Sequence, residues 1–476
     1  MNNSPLLNLS SSVDQATSTI INHISGRYKS PSADDVHKET GEKYLCRNLI
    51  PSSGTEFLSG KGIVLDTNKG KFYDFGAMSL NCILGQNDPW VNANLVSYIL
   101  SGSPSYASTS AGTTLYYELA EKISKLSGMK DAVVNHRQCN GSDVAELAII
   151  AAYKRRKGGQ KHVVSFKGSY HGQNLTSFAI SDLQRENRLL VDEDVSTVFL
   201  NTPTHIQPSQ NQDELTDNDR SILEELKVVG RQAFAVIIEP IQVNNRVNIS
   251  SRLFLKELKK VCVDLDVPLI FDDIQTGYGW LGTFSSVHFF GVRPNMMAIS
   301  KAITGGYGAL AALVMDKEYG DLLPSGVVRK TNGSDMRSLV AAKAIIERLS
   351  GIDESLIPDD LNENLKQELK EGLLATFSDK ERLIESSLRE LKKNHPRLFG
   401  ELRGTGLIWS IDIVNSEGEL DFAGCSKIQH DLLERGAFVR DVKGALLFKV
   451  PIVFTAEELQ RGFSVIEEYL KTADLE

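Results

Sequence analysis

The sequence predicts an α/β protein, in which a largely parallel sheet is flanked by helices and followed by a smaller α+β unit. Between about residue 115 and residue 310, short apolar runs typical of buried strands alternate with longer amphipathic patterns typical of helices. After about residue 340, long helical patterns rich in Glu, Lys and Leu precede short strand-like runs, which indicates the second unit.

The individual elements follow in chain order. Residues 1–55 are polar, with a predicted helix over 13–24 and a long arm. The predicted strands of the sheet are residues 132–135, 162–166, 234–239, 268–272 and 296–300, with helices over 115–126 and 144–155 between them. Residues 204–219 are rich in Pro, Gln, Asn and Asp and predict a surface loop. The second unit has predicted helices over 338–349 and 360–395, then strands over 406–414, 437–442 and 445–450.

Composition excludes several classes of protein. The chain has 476 residues, of which 41% are hydrophobic and 24% charged, so a disordered or disulfide-scaffold protein is excluded. The net charge of −9 argues against a nucleic-acid partner. The five cysteines are scattered without CxxC spacing, so we expect a reducing compartment and no metal site. The first residues show no secretory signal, and no apolar run approaches membrane-spanning length, so we expect a cytoplasmic protein without a membrane partner.

Residues that could catalyse a reaction or bind a ligand follow the predicted strands. The carboxyl ends of parallel strands meet at one edge of a sheet, where ligands bind. Five groups stand at such ends and are expected to share one crevice: Asn140-Gly141-Ser142, Tyr170-His171-Gly172, Glu239, Asp272 and Lys301.

Asp272 and Lys301 are the two most informative of these residues. Two adjacent aspartates end an apolar strand, and because successive side chains alternate, only one can point into a site, where it could pair with a cationic ring nitrogen. An isolated Asp-Asp would more often be a helix N-cap or a metal ligand. A lysine in an apolar setting can lose its proton and act as a nucleophile, and a surface lysine would explain an isolated Lys301 equally well.

The remaining segments carry weaker signals on their own. A Gly-Ser pair at a helix start can bind an anion through free N–H groups, but an ordinary N-cap is more common. Tyr170 could stack on a planar ligand, and Glu239 at the end of a buried strand implies a partner or a site. Thr331 and Gly333 lie in a polar segment that would otherwise be an ordinary surface loop.

In this order, the segments resemble class III pyridoxal-phosphate aminotransferases of fold type I, which include the ornithine, 4-aminobutyrate and diaminobutyrate enzymes. The resemblance covers roughly residues 55–460. The family's Asp-Glu-hydrophobic-Gln-Thr-Gly strand end is similar to Asp-Asp-Ile-Gln-Thr-Gly at residues 272–277, and its cofactor lysine is similar to Lys301, 29 residues after Asp272. The family's phosphate turn, aromatic-His-Gly motif and Thr-Phe-Gly-Gly segment correspond to residues 140–142, 170–172 and 331–334.

The resemblance implies a role for each matching residue. Lys301 would hold pyridoxal 5′-phosphate as a Schiff base and shuttle a proton, and Asp272 would pair with the pyridine nitrogen. Gln275 would bind the ring's 3-hydroxyl, and Tyr170 would stack on the ring. The phosphate would bind Gly141 and Ser142, with Thr331 reaching in from the second subunit of a homodimer. The full cofactor-binding set implied is Lys301, Asp272, Gln275, Asn140, Gly141, Ser142, Tyr170, His171, Glu239 and Thr331.

The resemblance also implies the domain organisation. Residues 1–85 would form an N-terminal arm and part of the small domain, residues 86–340 the large cofactor-binding domain, and residues 341–476 the C-terminal small α+β domain.

Departures from the family pattern concern the substrate. Trp280 stands where the family usually has Arg, which is expected to change loop anchoring or the substrate entrance. Leu447 stands where many members carry the Arg that grips an α-carboxylate. Either another cation substitutes, with Lys449, Arg440 and Arg337 as candidates, or the substrate presents no α-carboxylate at the reacting carbon. Lys449 could equally be a solvated edge-strand residue.

The sequence therefore predicts an aminotransferase that moves an amino group from an ω-amine, or an amine lacking an α-carboxylate, to a keto or aldehyde acceptor. A decarboxylase, racemase or aminomutase on the same fold is the alternative. A non-catalytic cofactor-binding protein would be expected to lack Lys301, Asp272 or the phosphate turn, all of which are present.

Overall fold

The computed structural model describes residues 19–20, 45–46, 49, 53, 55–108, 110–183, 196–207, 214–325 and 329–472. The predicted helix over 13–24 lies outside this part, except for residues 19 and 20, which are helical. The predicted loop over 204–219 is described at both ends, and the helix Asp217–Val229 begins inside it.

The strands are β1 (Phe57–Lys61), β2 (Val64–Thr67), β3 (Gly70–Asp74), β4 (Val133–Gln138), β5 (His162–Phe166), β6 (Ser196–Leu200), β7 (Ala233–Ile238), β8 (Ile241–Gln242), β9 (Asn248–Ile249), β10 (Leu269–Asp272), β11 (Met296–Ile299), β12 (Ala311–Met315), β13 (Phe399–Thr405), β14 (Ile408–Ile413), β15 (Ala437–Phe438), β16 (Arg440–Asp441) and β17 (Ala445–Lys449).

Apart from the four-residue segment Ala77–Leu80, which contains non-helical dihedral angles, the helices of the described residues are α1 (Pro89–Leu100), α2 (Thr114–Leu126), α3 (Gly141–Arg155), α4 (Leu175–Ala179), α5 (Asp217–Val229), α6 (Arg252–Asp264), α7 (Ser286–Phe290), α8 (Lys317–Asp321), α9 (Met336–Ser350), α10 (Glu363–Glu371), α11 (Phe377–Asn394), α12 (Phe422–Arg435) and α13 (Ala456–Thr472).

A seven-stranded sheet forms the centre of the molecule, in the order β4-β12-β11-β10-β7-β5-β6. Strands β11, β10, β7, β5 and β6 are mutually parallel, whereas β12 runs antiparallel to both of its neighbours. The predicted parallel sheet is confirmed. Strands β6 and β12 lie outside the predicted runs: β6 is a short strand at the sheet edge, and the alanines that begin β12 weaken its strand signature.

Side chains of the central strands alternate between two apolar layers. Leu269 and Phe271 of β10 face the larger core, while Ile270 packs with Val144 and Leu147 of α3 on the other face. This period of two places the next residue, Asp272, on the α3 side of the sheet.

The C-terminal unit contains a four-stranded antiparallel sheet in the order β13-β14-β17-β16. The predicted helix over 360–395 is two helices, α10 and α11, because Gly372 between them adopts a φ of +77° that interrupts helical geometry. Strand β15 pairs in parallel with β3, so the N-terminal strands join the C-terminal unit. This pairing is compatible with the expected small domain, whose limits at residues 85 and 340 stay predictions.

Within the described residues, every helix is too short or too polar to cross a lipid bilayer.

Candidate active site

Lys301 follows β11 after a single residue and begins a 3₁₀ turn, Lys301–Ile303. Its φ of +52° is the left-handed conformation, which a residue with a Cβ adopts only when its surroundings hold it there. The side chain is half-buried, and burial lowers its pKa to about 8, although Asp272 and Glu239 oppose this change. With that pKa, about a tenth of the amines are unprotonated and nucleophilic at pH 7.

Asp272 ends β10, and its buried carboxylate is held by two donors. His171 Nδ1 lies 2.7 Å from Oδ2, and the Ile274 N–H donates to Oδ1 at 3.1 Å. Because a carboxylate can only accept, this contact places the hydrogen of the His171 ring on Nδ1. The carboxylate is thus fixed in orientation while it keeps acceptor positions for a ligand.

Asp273 points to the other side of the chain. Its Oδ2 accepts a hydrogen bond from the Ser286 N–H at 2.8 Å, and its Oδ1 accepts one from the Thr276 hydroxyl. Burial raises the pKa of this carboxyl to about 6. Asp273 therefore supports the loop after β10, and Asp272 is the aspartate that meets His171.

Glu239 follows β7 and fixes the neighbouring aromatic residue. Its Oε2 accepts a hydrogen bond from the Tyr170 N–H at 2.8 Å. Burial and the nearby Asp272 raise the pKa of Glu239 well above its ordinary value, which favours the neutral acid. The Tyr170 hydroxyl interacts electrostatically with Arg440, Glu239 and Asp272, and burial raises its pKa. Tyr170 thus belongs to the same crevice.

The N-terminus of α3 forms an anion-binding position. Asn140 caps the helix, because its side chain accepts a hydrogen bond from the Asp143 N–H at 3.0 Å. The N–H groups of Gly141 and Ser142 precede this bond and have no acceptor within the helix. The Ser142 hydroxyl accepts a hydrogen bond from the Gln173 N–H at 3.0 Å. The positive end of the helix dipole favours an anion here.

A close backbone approach shapes this position. Gly172 has a φ of +133°, and a Cβ on it would lie 2.4 Å from the Ser142 hydroxyl oxygen. Only glycine fits there, so the Tyr170-His171-Gly172 segment is held directly beside the N-terminus of α3.

Thr331 lies in a 3₁₀ turn, Thr331–Ser334, beside the same helix end. The turn is anchored within its own chain, since the Tyr106 hydroxyl donates to the Thr331 carbonyl at 3.1 Å and Lys330 pairs with Asp143 at 3.2 Å. The side chain of Thr331 itself is exposed. Whether it serves its own site or that of another subunit stays a prediction.

Gln275 lies in the turn after Asp272 and is almost fully buried. Its side-chain Oε1 has no hydrogen-bond partner within the described residues. Its main-chain carbonyl accepts a hydrogen bond from Lys449 Nζ at 2.7 Å. The turn thus presents one unsatisfied buried amide and is tied to β17 through its backbone.

Trp280 and Lys449 do not lie where the sequence suggested a substrate contact. Both side chains have 0% exposure, and Lys449 Nζ lies 4.2 Å from the centroid of the Trp280 ring. A side chain without accessible surface cannot touch substrate unless the fold rearranges. This placement corrects both expectations for Lys449, as a substrate ligand and as a solvated edge residue, and it makes Trp280 an anchor of the loop.

The other two candidate cations differ in position. Arg440 of β16 stands directly opposite Leu447 of β17 in the antiparallel register. Its half-buried side chain has no hydrogen-bond or ion-pair partner within the described residues and interacts electrostatically with Tyr170 and Lys301. Arg337 is exposed and donates to Asp335 at 2.9 Å. Arg440 is therefore the cation that belongs to the crevice.

The sequence patterns did not indicate one segment near the site, which begins at Asp74. The buried Asp74 accepts hydrogen bonds from the N–H groups of Gly76 and Met78 at 3.0 to 3.1 Å. The following residues include Leu80 at a φ of +62°, whose carbonyl accepts a hydrogen bond from Lys449 at 3.0 Å. The Asp-x-Gly spacing of residues 74–76 is a turn signal that could have indicated this segment.

These side chains fit one cofactor. An anion position at α3, a lysine with a lowered pKa, a buried aspartate at a strand end and an unsatisfied buried amide match the phosphate, aldehyde, ring nitrogen and 3-hydroxyl of pyridoxal 5′-phosphate. The fold and the site define an enzyme that binds this cofactor through a lysine.

Comparison with known proteins identifies the family. The aminotransferase class-III family matches residues 58–470, and the chain belongs to that family. The predicted resemblance is therefore confirmed.

Relatives and solved structures agree with this assignment. The diaminobutyrate–2-oxoglutarate transaminase of Wolinella succinogenes is 28% identical over 438 residues, covering 89% of this chain and 93% of the relative. The adenosylmethionine-8-amino-7-oxononanoate aminotransferase of Staphylococcus aureus is 25% identical over 413 residues, covering 83% of this chain and 86% of the relative. An omega-aminotransferase from Paracoccus denitrificans shares the fold, with a TM-score of 0.77 at 15% identity, over 92% of this chain and 98% of that one.

The protein is thus an aminotransferase of fold type I that uses pyridoxal 5′-phosphate.

Proposed function

We propose that this aminotransferase acts on an amine whose reacting carbon carries no carboxylate, or on a terminal ω-amine, and passes the amino group to a keto or aldehyde acceptor. The catalytic part of this proposal is supported by one observation: Lys301, the His171-bound Asp272 and the N-terminus of α3 lie in one crevice.

The cofactor-binding residues have distinct proposed tasks. Bound pyridoxal 5′-phosphate supplies an electron sink for the carbanion that forms when the substrate Cα loses a proton. Asp272, oriented by His171, keeps the ring nitrogen protonated. Tyr170, held through its N–H by Glu239, packs against the ring.

The second group of residues binds the polar ends of the cofactor. Gly141 and Ser142 bind the phosphate at the helix end that Asn140 caps. Gln275 hydrogen-bonds the 3-hydroxyl with its buried side-chain amide.

Lys301 performs the proton transfer. Its Nζ would hold the cofactor, and its free amine would take a proton from the substrate Cα and return it at C4′ of the cofactor. Its lowered pKa makes the unprotonated amine accessible near neutral pH, as a general base requires.

The substrate proposal rests on the β16–β17 side of the crevice. Leu447 is fully buried and offers no donor to a carboxylate. Arg440, on the adjacent strand, is placed to donate hydrogen bonds to the carboxylate of a common α-amino acid that serves as the amino-group partner. The diaminobutyrate in the name of one relative carries a terminal amine, which is compatible with an ω-amine substrate.

A panel of donors and acceptors, followed through the absorbance of the bound cofactor, tests this function. Matched amines with and without an α-carboxylate should differ in kcat/KM in favour of the carboxylate-free member. A strong preference for α-carboxylates in every pair would refute the substrate proposal. Omission of the acceptor should stop the reaction after one half-turnover, whereas continued turnover would identify a racemase, decarboxylase or aminomutase.

We also propose a cytoplasmic homodimer in which Thr331 completes the partner's site. The five cysteines, all within the described residues, are free, as expected in a reducing compartment. Tyr106 is 47% exposed and bonds to the Thr331 turn, so an exposed aromatic side chain lies beside that turn.

Mixed dimers test the shared site. Lys301→Ala and Thr331→Ala chains combined in one dimer give one doubly damaged and one intact site if Thr331 acts on the partner. Activity should then exceed that of either parent dimer. If Thr331 acts within its own chain, the mixture contains no intact site, and no gain is expected.

A further inference from the structure

Lys449, the last residue of β17, is a fully buried lysine that the proposed chemistry does not use. Its Nζ donates to the carbonyl of Leu80 at 3.0 Å and to the carbonyl of Gln275 at 2.7 Å. The Trp280 ring lies on a further side, with its centroid 4.2 Å from Nζ. No carboxylate of the described residues forms an ion pair with it.

This environment is unusual for a lysine. A buried ammonium normally pairs with an acid, because burial without an opposite charge is costly. Here burial, together with the positive charges of Lys301 and Arg440, lowers the pKa of Lys449 well below its ordinary value. An apolar residue of similar length would avoid this cost, so the hydrogen bonds of the side chain need a reason of their own.

The three contacts connect separate parts of the active-site wall. Leu80 belongs to the turn that the buried Asp74 holds, and Gln275 and Trp280 begin and end a stretch of the loop after β10. The main-chain N–H of Lys449 also donates to the Phe75 carbonyl at 2.7 Å. The C-terminal unit is therefore bonded through one side chain to the turn that carries Gln275.

We propose that Lys449 is a positioning residue, which fixes the carbonyl of Gln275 and thereby aims the side-chain amide of Gln275 at the cofactor site. The inference rests on the proposed role of Gln275. Lys449 touches neither substrate nor cofactor in this arrangement, and its effect passes through the backbone of the turn.

The experiment compares Lys449→Met with Gln275→Leu and with the double variant. Lys449→Met should weaken binding of pyridoxal 5′-phosphate about tenfold, the factor that corresponds to the loss of one such hydrogen bond. The pH midpoint of the cofactor's visible absorbance should move, because the contact between the Gln275 side-chain amide and the 3-hydroxyl is loosened. The double variant should bind no more weakly than Gln275→Leu alone, since both changes act on one contact.

Lys380→Met is the matched control. Lys380 also donates to a main-chain carbonyl, that of Phe454, and its Nζ lies 4.6 Å from the centroid of the Phe454 ring. Its removal should lower the melting temperature without moving the absorbance midpoint or the cofactor affinity.

Three outcomes would overturn the proposal. In the first, Lys449→Met lowers only the melting temperature, as the control does, while Gln275→Leu shifts the midpoint. In the second, the two changes add in the double variant. In the third, neither Lys449→Met nor the milder Lys449→Gln folds, which would assign the residue to stability alone. If Gln275→Leu itself leaves the midpoint unchanged, the proposed role of Gln275 is what fails.

Discussion

The two sides of the crevice balance their charges differently. On the sheet side, each acidic side chain has its own donor: Asp272 accepts from His171 and Glu239 accepts from the Tyr170 N–H. On the β16–β17 side, Arg440 has no partner within the described residues, and Lys449 has only carbonyls and an aromatic ring. The acids on the sheet side are thus satisfied without a substrate, whereas Arg440 on the β16–β17 side carries a positive charge that an anionic group can neutralise.

Lys301→Ala should have the largest effect, since it removes the nucleophile and the proton carrier together. We expect kcat to fall by a factor on the order of 10⁴ or more. Steady-state rates and borohydride labelling with peptide mapping check this. Lys317→Ala, which removes an exposed lysine paired with Asp321, should leave both unchanged. Labelling of another lysine in the unaltered protein would contradict the assignment.

The adjacent aspartates offer a sharper comparison on the sheet side. Asp272→Asn should lower kcat roughly a hundredfold to a thousandfold, the range expected when one preorganised electrostatic contact is lost. Asp273→Asn should change kcat only a few-fold but lower the free energy of unfolding by about 1–3 kcal/mol, because it disturbs the bonds to Thr276 and Ser286. Kinetics and denaturant unfolding of both variants test this, and equal kinetic effects would mean that the two roles are wrongly divided.

These aspartates also show how far sequence reasoning reaches. Strand ends of a parallel sheet converge for topological reasons, so Asp272, Glu239 and Lys301 could be placed in one crevice from their positions alone. The choice between Asp272 and Asp273 depends on strand alternation, and the structure assigns it through the contacts each one makes.

The positions of Lys449 and Arg440 on the β16–β17 side could not be predicted from the sequence in the same way. The acceptors of Lys449 are 369 and 174 residues away in the chain, so no local pattern distinguishes its buried position from a solvated edge. Arg440 is placed by an antiparallel register that pairs it with Leu447, and that register depends on the turn between two short strands. Similarly, the prediction of a single helix over 360–395 did not include the interruption at Gly372, which depends on the backbone conformation of that residue.

Arg440→Met tests the role of the unpaired guanidinium on the β16–β17 side. It should raise KM for the α-amino acid partner about tenfold or more, the effect of losing a charge-assisted hydrogen bond, and leave KM for a carboxylate-free amine nearly unchanged. Arg337→Met is the matched control, because Arg337 is exposed and already bonded to Asp335. An equal rise of KM for both classes of amine would show that Arg440 supports the fold and does not recognise the carboxylate.

The pH dependence of cofactor uptake tests how the charged groups around Lys301 set its pKa, and the shifts expected in the variants are small. Only the unprotonated amine of Lys301 can attack the cofactor aldehyde. Because burial lowers its pKa to about 8, the uptake rate of the cofactor-free protein should rise by about tenfold per pH unit below pH 8 and level off above it. Stopped-flow absorbance after mixing with pyridoxal 5′-phosphate measures this profile.

Arg440 also affects this pH profile, because its positive charge helps to lower the pKa of Lys301. Asp272 and Glu239 oppose that change. In Arg440→Met the midpoint should therefore move to higher pH, and uptake at pH 7 should slow. In Asp272→Asn the midpoint should move to lower pH, because a negative charge that stabilises the ammonium form is lost. Shifts in the same direction for both variants would mean that the two sides of the crevice do not oppose each other at Lys301.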